Sequence, residues 1–396
     1  MQVSLKNSRP PFPARVAALL IAALPLAAQS PDLLNQPAHH PLQHIVTTGT
    51  SDTTTPGYSP SGLMEAYSFR KVDVKEKGSG QTIAVVDAYD DPNAEADLAT
   101  FTAQFGLPVC TTANGCFELV YGGGTEPPAD TTGWSNEIAI DTQWAHAMAP
   151  AARIMLVEAQ SNSLRDLLAA VGAAVQHGAT VVSMSWISSE GPSELQADAH
   201  FNVTGVTFVA ASGDTGHGVG YPAASPFVVA VGGTDLTVNA NGSWASETAW
   251  SESGGGVSQF ESEPSYQTGV QTTGMRGVPD VAYDGDPSTG VPSYNSNVCA
   301  GCLTGWTQWG GTSIGAPQWA ALFAIANSLR VKAGKTTLTQ PQVVLYPIAE
   351  TGYHDIVSGS NGNCGAQCQA GPGYDFVTGL GSPIGDTVIS TLVASP

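Results

Sequence analysis

The sequence predicts an α/β fold: a doubly wound, mostly parallel sheet with helices on both faces. Three observations carry this. Short β-branched runs recur from Thr82 onward, and stretches of helical periodicity separate them. The runs are apolar almost throughout, as strands covered on both faces are.

Taken in order, "TIAVVDA" (Thr82 to Ala88) is a strand ending in an acid. "GWSNEIAIDTQWAHAMAP" (Gly133 to Pro150) is a helix of small and apolar residues that Pro150 ends. "ARIMLVEA" (Ala152 to Ala159) is a second strand. "SLRDLLAAVGAAVQHG" (Ser163 to Gly178) has apolar residues at helical spacing and a glycine stop. It leads into "ATVVSMSW" (Ala179 to Trp186), followed by "VTFVAASGD" (Val206 to Asp214) and "FVVAVGGT" (Phe227 to Thr234). Active sites of such sheets gather beyond the carboxyl ends of the strands. Asp87, Trp186 and Asp214 all stand there.

The 396 residues allow one large domain or two smaller ones. At 42% hydrophobic residues the chain is not of disordered composition. Its 33 Asp and Glu against 13 Lys and Arg give a net charge of −20. That argues against nucleic-acid binding, which needs a basic surface. The acid surplus fits either plain solubility or work in acid, where protonation relieves self-repulsion.

Lys6, Arg9 and Arg15 precede the apolar run "VAALLIAALPLAA" (Val16 to Ala28), which is too short for a transmembrane helix. Residues 1–28 therefore read as a signal peptide, and the product as secreted, extracellular or periplasmic, with no membrane anchor. Residues 29–60 read as a disordered leader or linker rich in Pro, Thr and Ser, with His39, His40 and His44 in it. Residues 61–396 read as the folded domain. Six cysteines form three close pairs, Cys110 with Cys116, Cys299 with Cys302 and Cys364 with Cys368. Three local disulfide loops are the simplest pairing. A zinc site would instead need Cys299, Cys302, Cys364 and Cys368 to converge.

In "GGTSIGAP" (Gly310 to Pro317), Ser313 has the setting of a nucleophile at the start of a buried helix. Such a serine needs a base, in neutral serine peptidases a histidine. None of the eight histidines is followed by Gly-Thr. His146, His177, His200, His217 and His354 read as structural or exposed. Glu137 and Asp141 offer another base. They are four apart, so one helical face carries both carboxylates. Two such acids repel unless they share a proton or face solvent. The apolar neighbours Ile138, Ala139, Ile140 and Trp144 argue against a solvated face. In "AASGDTG" (Ala210 to Gly216), Asp214 taken alone is a turn residue. While protonated, it can also donate to an oxyanion.

Together, E-x-x-x-D on a helix, S-G-D after a strand and G-T-S-x-x-x-P resemble the sedolisins, the serine-carboxyl peptidases of the subtilisin-like superfamily. The resemblance runs from about Gly57 ("GYSPSGLMEAYSF") to the C-terminus and includes "GVPDVAYDGDPSTGV" (Gly277 to Val291). It implies a subtilisin-like sheet and an acid-acting endopeptidase on peptides and proteins, in a monomer. By this resemblance Glu137 takes the Ser313 proton, and Asp141 orients Glu137 and shares its proton. Asp214 and the Ser313 backbone N–H form the oxyanion hole. Asp87 and Trp186 are candidates for supporting this network. The family's calcium pattern implies one Ca2+ in a C-terminal loop of the domain. Carboxylates would come from Asp355 and Asp375, and carbonyls from Ile356, Gly371 and Gly373. Two alternatives stand beside this: a tripeptidyl exopeptidase of the same family, and an inactive relative that only binds peptides. Sedolisins carry a long folded prodomain, and the stretch between signal and resemblance is too short for one. The chain is then expected to fold unaided or with a separate folding helper.

Overall fold

A computed structural model of the chain describes Met1 and residues 33–40, 43–45, 55–71, 73 and 76–396. Two compact units result, Met1–Pro31 and Asp32–Pro396. The signal-like run, and residues 46–54 of the leader, lie outside the described residues.

The second unit begins with β1 (Gln43–Ile45) and α1 (Pro60–Ala66). The α/β body follows as β2 (Thr82–Ala88), α2 (Ala94–Phe105), β3 (Phe117–Tyr121), α3 (Trp134–Met148), β4 (Arg153–Ala159), α4 (Leu164–Gln176) and β5 (Val181–Met184). Next come β6 (Ser188–Ser189), α5 (Glu194–Ala197), β7 (Thr207–Ala211), β8 (Gly220–Tyr221), β9 (Val228–Val238) and β10 (Trp244–Ala249). Then β11 (Gly256–Ser262), β12 (Met275–Val278), β13 (Val281–Asp284) and a hairpin of β14 (Val291–Asn295) and β15 (Gly305–Gly310) lead into α6 (Thr312–Lys332).

The central sheet has eight strands in the order β10-β9-β7-β5-β2-β4-β3, with β13 also beside β9. Only the β10–β9 pairing is antiparallel. This is the doubly wound, mostly parallel sheet the sequence predicts.

Alternation along a strand sends successive side chains to opposite faces. On β2, Ile83 and Val85 join Ile138 and Trp144 of α3 and Ile314 and Trp319 of α6 in one core. Ala84, Val86 and Ala88 join Leu164, Leu167 and Val171 of α4 in another. The same alternation puts Asp87 on the α3 side. On β5 and just beyond it, Val181 and Ser185 face α3 and α6, whereas Val182, Met184 and Trp186 face α4.

The cysteines close as Cys110–Cys116, Cys299–Cys302 and Cys364–Cys368. With these sulfurs joined in separate loops, the four-cysteine zinc alternative falls away. No helix among the described residues is long and apolar enough to cross a membrane.

The leader differs from the expectation of disorder. Its described residues are fastened to the body by backbone bonds. Ala38 N donates to Asn162 O (2.7 Å), and His39 exchanges bonds with Ile187 (2.9 and 3.0 Å). β1 then pairs antiparallel with β15, Gln43 opposite Gly310. Unmatched backbone groups at the β15 edge and in the segments at Asn162 and Ile187 supply what the leader's composition lacks in apolar surface.

Candidate active site

Ser313 lies in the first turn of α6, just after Gly311, which holds φ +114°. A left-handed backbone of that kind favours glycine, and it turns β15 sharply into the helix. Pro317 stands four residues on. A proline there has no N–H for the Ser313 carbonyl, and Ser185 Oγ lies 3.5 Å from that oxygen. The spacing G-T-S-x-x-x-P thus loosens the first turn at the residue that carries the hydroxyl.

All of α3 is buried, between the sheet, α6 and the β14–β15 hairpin. Glu137 and Asp141 are both wholly inaccessible. Burial pushes the Glu137 carboxyl well above the usual range, and the neighbouring Asp141 and Asp87 add to it. Asp141 is pushed up by burial and by Asp87, against a 2.9 Å bond from Ser185 Oγ. Burial pushes Asp87 up to about 8. Three carboxyls so placed cannot all ionise, and their protons come off as a group. Ser313 Oγ lies beside Glu137, near enough to favour its charged form. Neither Ser313 Oγ nor either Glu137 oxygen is hydrogen-bonded at normal length. Catalytic bonds in ligand-free sites are often long in this way.

Asp214 follows β7 on the other side of Ser313. Its Oδ1 accepts from Thr312 N (2.8 Å) and Thr312 Oγ1 (2.7 Å). Gly213 N in turn donates to Thr312 Oγ1 at 3.0 Å. Burial raises Asp214 to about 8 in spite of these bonds. Burial thus favours the protonated form of Asp214 over a wider pH range than a free carboxyl has. A neutral carboxyl beside the nucleophile is a hydrogen-bond donor of the kind an oxyanion needs.

The structure therefore brings Ser313, Glu137, Asp141, Asp87 and Asp214 to one place. Trp186 does not join them. It is buried on the α4 face, and its Nε1 donates to Val86 O at 3.0 Å. Two residues were not foreseen. Ser185 bonds Asp141, and its signal was a second polar residue two places after Ser183 in an otherwise apolar strand. Thr312 holds Asp214, and nothing in its own sequence setting distinguishes it from a helix-start residue.

Three histidines of the body have partners elsewhere. His146 bonds Pro108 O (2.8 Å), His177 pairs with Glu118 and His354 stacks on Trp244. His40 of the leader is the exception. Its Nδ1 stands 3.6 Å from Glu137 Oε2, with the ring edge-on to Trp134. Burial pushes the imidazole below its usual value. Pro37, His39 and His40 line a cleft of about 470 Å³ together with Ile187, Gly213 and Asp214. These leader residues thus lie against the cleft, joined to Ser163 and Ile187 by isolated antiparallel bridges. A larger pocket of about 690 Å³, lined by Lys71, Asp73, Glu76, Leu329, Asp386 and Ser390, contains none of the residues gathered around Ser313.

In the C-terminal loop, Gly373 N donates to Asp355 Oδ2 and Gly371 N to Asp375 Oδ2, both at 3.0 Å. Asp375 Oδ1 accepts from Val377 N and Thr378 N. Two carboxylates are thereby drawn to one glycine-rich turn, and among the described residues neither makes an ion pair with a cationic side chain. An all-oxygen set of two carboxylates with nearby carbonyls suits a hard cation such as Ca2+.

This fold and this site define the class. The subtilase family model matches residues 129–345, and the chain belongs to that family. It is similar to several sedolisins. Kumamolisin of Bacillus sp. (strain MN-32) is 34% identical over 380 residues, 85% of this chain and 64% of that one. Sedolisin of Pseudomonas sp. (strain 101) is 34% identical over 51% of this chain and 38% of its own length. Tripeptidyl-peptidase sed4 of Aspergillus fumigatus is 31% identical over 45% of this chain and 36% of that one. The chain thus spans less than two thirds of these curated relatives. A solved structure of Pseudomonas sedolisin, a serine-carboxyl proteinase complexed with two molecules of pseudo-iodotyrostatin, superposes with a TM-score of 0.74 at 28% identity. It covers 86% of this chain and 99% of that one.

Proposed function

We propose that the chain is an acid-acting serine-carboxyl endopeptidase. The observation that carries this is the buried cluster of Glu137, Asp141 and Asp87 beside Ser313. Glu137 accepts the Ser313 proton as the hydroxyl attacks a peptide carbonyl, and returns it to the leaving amine. Asp141 and Asp87 share protons with it, so that one negative charge serves three carboxyls. Protonated Asp214 and the Ser313 backbone N–H receive the oxyanion. Both arms need protons that the site retains in acid.

The lie of the leader favours endopeptidase over tripeptidyl exopeptidase action. Residues 36–39 pair beside Asn162 and Ile187, and β1 pairs with β15. Leader residues thus pair beside the cleft at Ile187 and, through β1, opposite Gly310 on the strand that leads into Ser313. Peptides with blocked and free N-termini test this: cleavage of blocked substrates supports endopeptidase action, and a strict need for a free amine refutes it. Loss of hydrolysis in Ser313→Ala tests the mechanism.

Ca2+ in the C-terminal loop would be held by Asp355 and Asp375, with carbonyls of Ile356, Gly371 and Gly373. It would supply a cross-link between two chain segments. Three disulfides fit an oxidising compartment, and with the N-terminal signal pattern they support secretion.

A further inference from the structure

The base and the nucleophile stand on different helices, so something must fix their separation. The β14–β15 hairpin touches both. β15 runs directly into the turn that carries Ser313. At its other end the hairpin loop, closed by Cys299–Cys302, reaches the first turn of α3.

There it grips Asn136, the residue before Glu137. Asn136 is 3% exposed. Its Nδ2 donates to Gly301 O at 3.0 Å, and its Oδ1 accepts from Leu303 N (3.0 Å) and Asn295 Nδ2 (2.9 Å). Asn297 Nδ2 donates to Ser135 Oγ at 2.7 Å. The backbones meet closely. A Cβ on Gly133 would stand 3.1 Å from Gly301 O, and one on Gly301 would stand 3.1 Å from Thr132 O. Asp130 completes the turn, accepting from Gly133 N and Ser135 N beside the disulfide. Further along α3, Gln143 exchanges bonds with the Tyr294 backbone and Trp144 Nε1 donates to Pro292 O. That grip already ties the hairpin to the helix. Further bonds at Asn136 act on the orientation of the turn that bears Glu137.

We propose that Asn136, clamped by the Cys299–Cys302 loop, is a positioning residue that sets Glu137 against Ser313. The inference rests on the peptidase reading above. A displacement of about 1 Å in such a pair costs on the order of a hundredfold in rate.

Kinetics and crystal structures of Asn136→Ala, and of Cys299→Ser combined with Cys302→Ser, test it. Both variants should lower kcat, Asn136→Ala by at least tenfold, with KM within about threefold at temperatures well below melting. Both should move the acid limb of the kcat/KM profile, because Glu137 changes its distance from Asp141 and Asp87. Asn136→Asp keeps the acceptor and, protonated in acid, the donor, so it should recover most of kcat there. The cysteine pair leaves α3 unaltered and gives the same reading should Asn136→Ala fail to fold. A lower melting temperature with unchanged kcat and unchanged pH limbs would overturn the proposal, leaving the clamp purely structural. Crystal structures read the Glu137–Ser313 separation whether or not the wild type cleaves peptides. An unmoved Glu137 in both variants overturns the proposal. A wild type without Ser313-dependent hydrolysis overturns the peptidase reading instead.

Discussion

At the scale of single residues, the chemistry depends on where protons sit. Asp214 is useful to an oxyanion only while protonated, and burial pushes its carboxyl up to about 8 against the two bonds from Thr312. An amide donates at any pH, so Asp214→Asn should retain measurable activity and extend the alkaline side of the kcat/KM profile. Asp214→Ala should lose on the order of a hundredfold or more, the usual effect of removing an oxyanion donor. Equal kcat/KM in all three proteins across the pH range would reduce Asp214 to a turn residue. Ser313→Ala should retain the native circular dichroism and lose hydrolysis, down to whatever rate binding and the oxyanion hole alone sustain.

Single elements carry the second set of expectations. The loop around Asp355 and Asp375 holds two acids on one turn, an arrangement that a bound cation stabilises only in the folded state. Asp355→Ala or Asp375→Ala should therefore lower Tm while leaving kcat near the wild-type value. Chelator should have the same effect on the wild type. If Tm does not respond to chelator and metal analysis finds no calcium, the loop is not a calcium site. On the proposed reading the leader lies where a substrate would bind, so a variant lacking residues 33–45 should show a lower KM with similar kcat; an unchanged KM would mean the leader leaves the cleft in solution. Much of this element scale was legible in the sequence. Apolar runs marked the strands, and the four-residue spacing of Glu137 and Asp141 gave a shared helical face. Pro317 and Gly311 bracketed the nucleophile. What stayed hidden depends on pairing across distance. Asn136 finds its partners more than 150 residues away. Leader residues 36–39 are held by backbone bonds, which side-chain composition does not encode. Trp186 shows the limit of strand-end reasoning, since alternation turned it to the face opposite the carboxyls.

For the whole molecule, the buried acids bind protons more tightly in the folded state than in the unfolded one. Burial raises Asp91 to about 7, and Glu158, Glu194 and Glu261 to about 8. Between the unfolded carboxylate range near about pH 4 and these values the native state holds more protons. Its stability must then fall as pH rises through that window. Tm should be higher near pH 4 than at pH 8, and a rise in Tm toward neutrality would show that these groups ionise freely. On the proposed mechanism the same window bounds activity, since Asp214 must hold its proton to serve the oxyanion. The most direct measurement is therefore hydrolysis of a denatured protein substrate from pH 2 to 8 by wild type, Ser313→Ala and Glu137→Gln. The expected result is hydrolysis by the wild type confined to acid and lost in both variants. Activity greatest at neutral pH, or activity surviving in Glu137→Gln at the wild-type rate, would contradict a carboxylate base at Ser313.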